Sequence, residues 1–384
     1  MTAKPMILVV GAGIGGLTAA IALRQAGFHV EVFERAAELK EIGAGIGISA
    51  NAIRVLKHLG LMERVVERGT VIEAAVAYTF KGDTISRWPT NLTDVPIVCL
   101  HRADLQQVLF SALPPGSVHL GEEFTAFQPM GDGVTAHFAS GRTVSGDALI
   151  GADGLRSKVR AQLLGDGEPV YRGYQCWRGV CTHPAGEFLT ETFGLGIRVG
   201  IVPIGQRGTA WWCTANETEH THDEPDGAKS KLLRRVGNWH QPIPDVFAAT
   251  DPIAIIKTGI YDRRPAKRWS QGCVTLLGDA AHPTTPNLGQ GGCMAIEDAV
   301  VLARCLSNRF PPATAFRVYE RLRYTRTARV TKISRYYGVI GQWENPGAAW
   351  LRTTLFRLTS GKAATTSYVR FLNYDPNEVG LNEY

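Results

Sequence analysis

The sequence predicts an α/β protein: a Rossmann-like dinucleotide-binding domain with a parallel sheet, an antiparallel sheet inserted into it, and helices towards the C-terminus. Three observations carry this expectation. An apolar run from Met6 to Val10 leads straight into Gly11-Ala12-Gly13-Ile14-Gly15-Gly16. Two later apolar runs, Ala148 to Ile150 and Val274 to Leu277, each give way to a turn holding a glycine and an aspartate. Between about residues 171 and 265 the pattern changes to short alternating stretches that hold Trp177, Trp211 and Trp212.

Bulk properties narrow the function classes. At roughly 100–200 residues per domain, 384 residues allow two or three domains with full cores. A composition that is 45% hydrophobic and 20% charged excludes collagen, a disordered tail and a disulfide-dense miniprotein. The net charge of +6 is spread along the chain without a basic stripe, so no nucleic-acid partner is expected. Seven cysteines, with no C-x-x-C pair, predict no metal site and read as small buried residues in a reducing cytosol. The short N-terminal apolar run reads as a buried strand rather than a signal peptide, and nothing approaches the ~20 apolar residues of a membrane span. A cytoplasmic protein is expected.

The first element pair is a βαβ opening. Leu17, Ile21 and Leu23 stand near helical spacing after the glycines, Gly27 ends the helix where a left-handed residue is wanted, and Val30 to Phe33 forms the second strand. Glu34 closes that strand about twenty residues beyond Gly13, where an acid accepts hydrogen bonds from ribose hydroxyls. The glycines allow a tight turn and let backbone N–H groups approach a pyrophosphate. A glycine-rich turn that binds nothing is the alternative; strand, helix, strand and acid in register favour the dinucleotide. No second G-x-G-x-x-G follows, so one such fold is expected.

Ala148-Leu149-Ile150 precedes Gly151-Ala152-Asp153-Gly154, after which Arg156, Ser157 and Arg160 open a helix. Val274 to Leu277 precedes Gly278-Asp279-Ala280-Ala281-His282-Pro283. Open α/β sheets bind ligands at the carboxyl ends of their strands. One such aspartate is as readily a turn or cap residue, whereas three strand-end acids together argue for a site. Further on, Pro286-Asn287-Leu288-Gly289-Gln290-Gly291-Gly292-Cys293 precedes a helix with Ala295, Ala299, Leu302 and Leu306 on one face. Those glycines either pack a helix closely or open its N-terminus to a ligand that develops negative charge, and Glu297 and Asp298 suit the dipole of its early turns. The three tryptophans are core by default and pocket lining otherwise.

Taken together, Gly11-x-Gly13-x-x-Gly16 with Glu34, the Asp153-Gly154 turn, and Gly278-Asp279 followed by Pro286 and Gly289-Gln290-Gly291 resemble the three fingerprints of single-component (group A) FAD-dependent aromatic monooxygenases, over about residues 5 to 330. Tyr174-Gln175-Cys176-Trp177-Arg178-Gly179 and the run from Pro286 to Met294 resemble the zeaxanthin-epoxidase and FAD-dependent urate hydroxylase branch, with salicylate and hydroxynicotinate hydroxylases as more distant relatives. The resemblance implies that Gly11, Gly13, Gly15 and Gly16 cradle the FAD pyrophosphate, that Glu34 holds the adenosine ribose, and that Arg35 lies beside the adenine. Arg102 is placed on the flavin side of FAD, Asp153 in a turn serving FAD and NAD(P)H, and Asp279 on the ribityl or phosphate region. Pro286, Gly289, Gln290, Gly291 and Gly292 are placed at the flavin edge.

The resemblance also implies a reaction in which NADH or NADPH reduces FAD, O2 gives a flavin C4a-hydroperoxide, and one oxygen atom passes to a planar aromatic or N-heteroaromatic substrate. Its alternatives are a flavin-dependent reductase or dehydrogenase of a lipid-like or unsaturated substrate, or an isoprenoid epoxidase. Arg198 matches the branch's substrate-facing arginine, with Trp177 and Trp211 as further candidate contacts and Arg178 and Trp212 behind them. Two departures stand out: the acid that urate hydroxylases carry at Asn287 is absent, as is their tyrosine near Ala210 or Trp211. His282 is either a proton relay or a structural histidine, and no catalytic residue is assigned. The implied FAD-binding domain is discontinuous, 1–75, 101–170 and 266–340, with a substrate-binding sheet domain of 76–100 and 171–265 and a helical segment at 341–384. A monomer or homodimer acting on a small molecule is expected.

Overall fold

The structure, a computed structural model, describes residues 5–39, 43–184, 186–221, 223, 227–308, 310–359, 371–378 and 380. The opening runs strand Met6–Val10, helix Ile14–Gln25, strand His29–Glu34. Continuous rather than alternating apolarity suits a strand covered on both faces, and Ile7 to Val10 are all buried. Gly27 follows the helix at φ +96°, the left-handed position its sequence context calls for.

Six strands form the main sheet, in the order Ser270–Gln271, Val274–Leu276, Ala148–Gly151, Met6–Val10, His29–Glu34, Val118–Leu120. All pairings are parallel except that of the short Ser270–Gln271 edge strand. Parallel pairing carries the ends of four strands to one edge, so that residues 11, 34, 153 and 279, distant in sequence, share it. Backbone bonds stitch that edge: Gly11 donates to the Phe33 carbonyl at 2.7 Å, Ala152 to Val10 at 2.8 Å and Leu277 to Gly151 at 2.9 Å. The Ile14–Gln25 helix packs against helix Gly291–Ser307, which packs in turn on the long helix Pro312–Gly341.

The inserted sheet has seven strands, ordered Ile256–Asp262, Val170–Cys181, Thr209–Asn216, Ile197–Pro203, Leu189–Phe193, Ala74–Thr79, Thr84–Pro89. It is antiparallel apart from the parallel pairing of Leu189–Phe193 with Ala74–Thr79. The sequence expectation of short strands alone needs correction here. One strand runs 12 residues, and two helices, Gly227–Val236 and Ile243–Ala249, lie within the insertion. They exist because one sheet face is strongly apolar: Leu232, Val236, Ile243, Val246 and Phe247 cover Trp177 and Trp211.

The stretch 76–100 also differs at both ends. The first strand of that pair starts at Ala74, and Val98–His101 joins Gly45–Ile48 and Thr70–Val71 in a separate small sheet. Phe124–Met130, Gly133–Phe138 and Thr143–Gly146 form a further antiparallel sheet. Its signal is the period-two burial of Val134, Ala136 and Phe138. The helical end starts earlier than 341, at Pro312, and continues in Pro346–Thr359. The expected helical segment over 360–370 and 381–384 lies outside the described residues.

Candidate functional site

The glycine turn separates two jobs. A Cβ at Gly16 would meet the Gly11 carbonyl oxygen at 1.9 Å, and one at Gly11, where φ is +107°, would meet the Ala152 oxygen at 2.5 Å. Gly15 faces Leu277 and Ala295, with a Cβ only 2.8 Å and 3.0 Å from them. These three glycines are required by the chain's own packing. At Gly13, by contrast, a Cβ would meet nothing within 4 Å, and the backbone is extended at φ −71°. No protein atom needs a glycine there.

Glu34 reaches back to the turn, its Oε2 accepting from Ala12 N at 2.8 Å and its Oε1 from Ala36 N at 3.0 Å. Gln106, which sequence reasoning missed, donates to the Ala12 carbonyl at 2.8 Å. It stands one helical turn beyond Arg102, the first residue of helix Arg102–Phe110, and that i, i+4 spacing was its one available signal. Arg35 and Arg102 are both exposed.

The strand-end aspartates behave differently. Asp153 caps the next helix, accepting from Ser157 Oγ at 2.5 Å, Lys158 N at 2.8 Å and Val159 N at 3.2 Å. Burial raises its pKa against the pull of those donors. That helix starts at Lys158 with Ser157 as its cap, so Arg156 lies outside it. Asp279 is exposed and lines a cavity.

Glu297 and Asp298 require a correction. They are not dipole partners of the early turns but lie wholly buried beneath them. Asp298 accepts from Gly278 N at 3.0 Å, His282 Nε2 at 2.6 Å and Arg323 Nε at 2.6 Å. Glu297 accepts from Arg323, Arg326 and Asn51. His282 is thereby a buried structural partner of Asp298, and it does not line the cavity.

The cavity, about 530 Å³, opens between the carboxyl edge of the parallel sheet and the inserted sheet. Its lining takes Asp279, Pro286, Gly289, Gly291 and Gly292 from the segment that leads into and opens helix Gly291–Ser307, Arg178, Glu191, Arg198 and Trp212 from the inserted sheet, and Tyr337 from the long helix. The left-handed residue of the loop is Gly289, at φ +63°, rather than Gly291 or Gly292. A Cβ at Gly291 would have no neighbour nearer than 3.5 Å. Gln290 turns away, its amide bonded to Ser49 and Asn51. Burial pushes the Cys99 thiol up to about 12 and that of Cys293 to about 11, so neither is a nucleophile at neutral pH.

Period two along the strands sorts the aromatic candidates. Trp177 and Trp211 point to the helix-covered face, where Trp177 Nε1 donates to Asp223 at 3.2 Å and Trp211 Nε1 to Thr250 at 2.8 Å. Trp177 does not line the cavity; Trp211, although its indole turns to the helix-covered face, and the half-buried Trp212 both do. We expect Trp177→Ala to cost about 3–5 kcal/mol in denaturant unfolding without changing FAD loading. Trp212→Ala should keep its stability within about 1 kcal/mol and alter the response to substrate. The reverse pattern would reassign the sheet's faces.

Arg198 is not a solvated strand residue. It is 1% exposed, and its Nε, Nη1 and Nη2 donate to Gln342 at 2.8 Å, Glu191 at 2.9 Å and Asn287 at 2.7 Å. Asn287 is fixed in turn, its amide donating to Tyr174, Thr285 and the Ser334 carbonyl.

Comparison with known proteins supplies a family and relatives. A model of the FAD binding domain family matches residues 4–332. The aurachin C monooxygenase/isomerase of Stigmatella aurantiaca is 42% identical over 377 residues, covering 96% of this chain and 98% of that protein. The 3-amino-4-hydroxybenzoate 2-monooxygenase of Streptomyces cremeus is 36% identical, covering 86% of both chains. The solved structure of HpxO from Klebsiella pneumoniae, complexed with FAD and uric acid, has a TM-score of 0.90 at 30% identity, covering 96% of each chain.

Proposed function

The chain belongs to the FAD binding domain family and is a flavoprotein monooxygenase, and on that premise we propose that it uses NADH or NADPH to insert one oxygen atom from O2 into a planar aromatic or N-heteroaromatic ring. The observation that carries the reading is the single cavity joining the Asp279 and Gly291 edge to the inserted sheet. A ring held there lies next to the edge that suits the cofactor. The residues fit FAD: the empty approach at Gly13 leaves room for a pyrophosphate, and the open flank of Gly291 leaves room for a flat ring.

Gly11, Gly13 and Gly16 would present the pyrophosphate to the helix N-terminus, while Glu34 would exchange its backbone partners for ribose hydroxyls. Arg35 and Arg102, both exposed at this edge, are free to reach the adenine and flavin sides. Asp279 would bind the chain between them, and the N–H groups of residues 291–293 would favour negative charge on the flavin. Asp153 contributes by fixing the turn after its strand. FAD, when bound, supplies the reaction with O2. The protein then has to hold the ring in place and exclude water, which the walls of Ile72, Val76, Val202 and Trp212 support.

The test is NADH or NADPH oxidation by the purified, FAD-loaded protein with a panel of planar aromatics and N-heteroaromatics. We expect one or more rings to accelerate oxidation, consume O2 and emerge heavier by one oxygen atom. Oxidation that no ring accelerates, with no oxygenated product, would overturn the proposal.

A further inference from the structure

A polar cluster in the cavity lining is built around Arg198, yet Arg198 itself is almost closed off. Its side chain is 2% exposed against 16% for Glu191, the carboxylate paired with it. Three of the five guanidinium N–H groups are already committed, to Gln342, Glu191 and Asn287, one on each nitrogen. Every nitrogen of the fork already has a partner, the N–H groups left over sit on a side chain that is 2% exposed, and a ligand carboxylate finds the Glu191 charge beside them. Glu191 itself is differently placed. Its Oε1 accepts from Arg198 and its Oε2 from Tyr337 Oη at 2.7 Å, and each oxygen keeps a second lone pair.

The surrounding charges do not alter this. Arg352 lies behind the cluster, donating to the carbonyls of Gly341 at 2.9 Å and Gly194 at 3.0 Å, and does not line the cavity. Arg178 lines the cavity as a cation, but its strand stands three away from that of Glu191 in the sheet, and its guanidinium donates to Thr258 Oγ1 at 2.8 Å on the strand beyond. Asp279 belongs to the cofactor edge. Burial, followed by the Glu191 charge, pushes the Tyr337 phenol well above its ordinary pKa, so it stays a neutral donor. The remaining lining near Glu191 is apolar: Val76, Ala77, Trp88, Leu189.

We propose that Glu191 masks Arg198 and makes this cavity select an uncharged ring that carries an N–H or O–H donor, in preference to a ring that carries a carboxylate. A ring N–H or phenol hydroxyl meets the free lone pairs of Glu191, whereas an anion meets a like charge between largely apolar walls. Removing the negative charge leaves the positive charge of Arg198, with Arg352 behind it, uncompensated beneath the cavity wall, and that favours an anion. The inference rests on the reading of this cavity as the substrate site.

The experiment titrates FAD-loaded wild type and Glu191→Gln with matched neutral and anionic rings, 4-hydroxyquinoline against quinoline-4-carboxylate and phenol against benzoate, following the flavin absorption spectrum. Wild type should bind the neutral member of a pair about tenfold more tightly or better, and Glu191→Gln should shift that ratio towards the carboxylate by about tenfold or more. The wild-type ratio stands as a test even if the variant does not fold. A wild-type preference for the carboxylates, or an unchanged ratio in a folded Glu191→Gln, overturns the inference while leaving the site in place. No spectral response to any ring, neutral or charged, overturns the reading of the cavity as well.

Discussion

Gly13→Val is expected to weaken FAD loading sharply and leave the fold intact. The two halves of that expectation come from one observation: a Cβ at this position touches no protein atom within 4 Å, and the backbone sits in a region open to any residue. A branched side chain there occupies only the space that a dinucleotide's pyrophosphate must enter to reach the helix N-terminus. Overpacking costs roughly 1–3 kcal/mol, which places the loss of FAD affinity between roughly fivefold and roughly 150-fold. Gly16→Val supplies the contrast, because its Cβ would lie 1.9 Å from a backbone oxygen of the same turn and must push the helix off the sheet. FAD titration of the apoproteins, with thermal melting followed by circular dichroism, separates the two. Gly13→Val with a wild-type melt and undiminished FAD affinity would falsify the assignment of this turn to the cofactor.

The sequence showed what depends on local rules. Gly27 needed only a helix end, Glu34 only a strand end, and Asp279 only an apolar strand of the right length before it; the parallel sheet then brought the last two to one edge. What it hid depends on partners far along the chain. Glu297 and Asp298 looked like dipole acids because Arg323 and Arg326 lie on a different helix, and only its packing against Gly291–Ser307 turns all four residues inward. Trp177 and Trp211 share a face through the register of their strands, which pairs Trp177 with Cys213 and sends Trp212 to the other side. Strand parity cannot be read without knowing which face the inserted helices cover. Glu191 carried no motif at all. Its significance comes from the antiparallel pairing of its strand with that of Arg198, and from a tyrosine on the long C-terminal helix.

Arg323→Met is the substitution expected to damage the fold most. Arg323 is wholly buried, and among the described residues it is the one that bonds both carboxylates, Asp298 at 2.6 Å through Nε and Glu297 at 2.6 Å through Nη2. Burial alone would raise the pKa of Asp298, but His282 and Arg323 hold it well below the usual carboxylate range; burial likewise opposes, and Arg323 and Arg326 outweigh it, at Glu297. Methionine keeps much of the volume and removes the charge. Breaking a buried pair by deleting one partner costs about 3–5 kcal/mol, because the second partner keeps its desolvation cost. Arg326 still serves Glu297 and His282 still serves Asp298, which puts the loss towards the lower figure. The pH dependence distinguishes this cause from a packing defect. In wild type the depressed carboxylate pKa values contribute stability that is fully present above the unfolded values of about 4, and that is lost as the pH falls through the lower folded values. In Arg323→Met a protonated carboxyl no longer needs the missing cation. The stability difference between the two proteins, from urea unfolding, should therefore be largest near pH 7 and shrink as the pH is lowered towards 4. A gap that stays constant across that range would mean that the lost methylene contacts, and not the unpaired charges, cause the damage. Because Asp298 also holds the Gly278 amide, the variant should lose FAD affinity alongside stability, through the turn that carries Asp279.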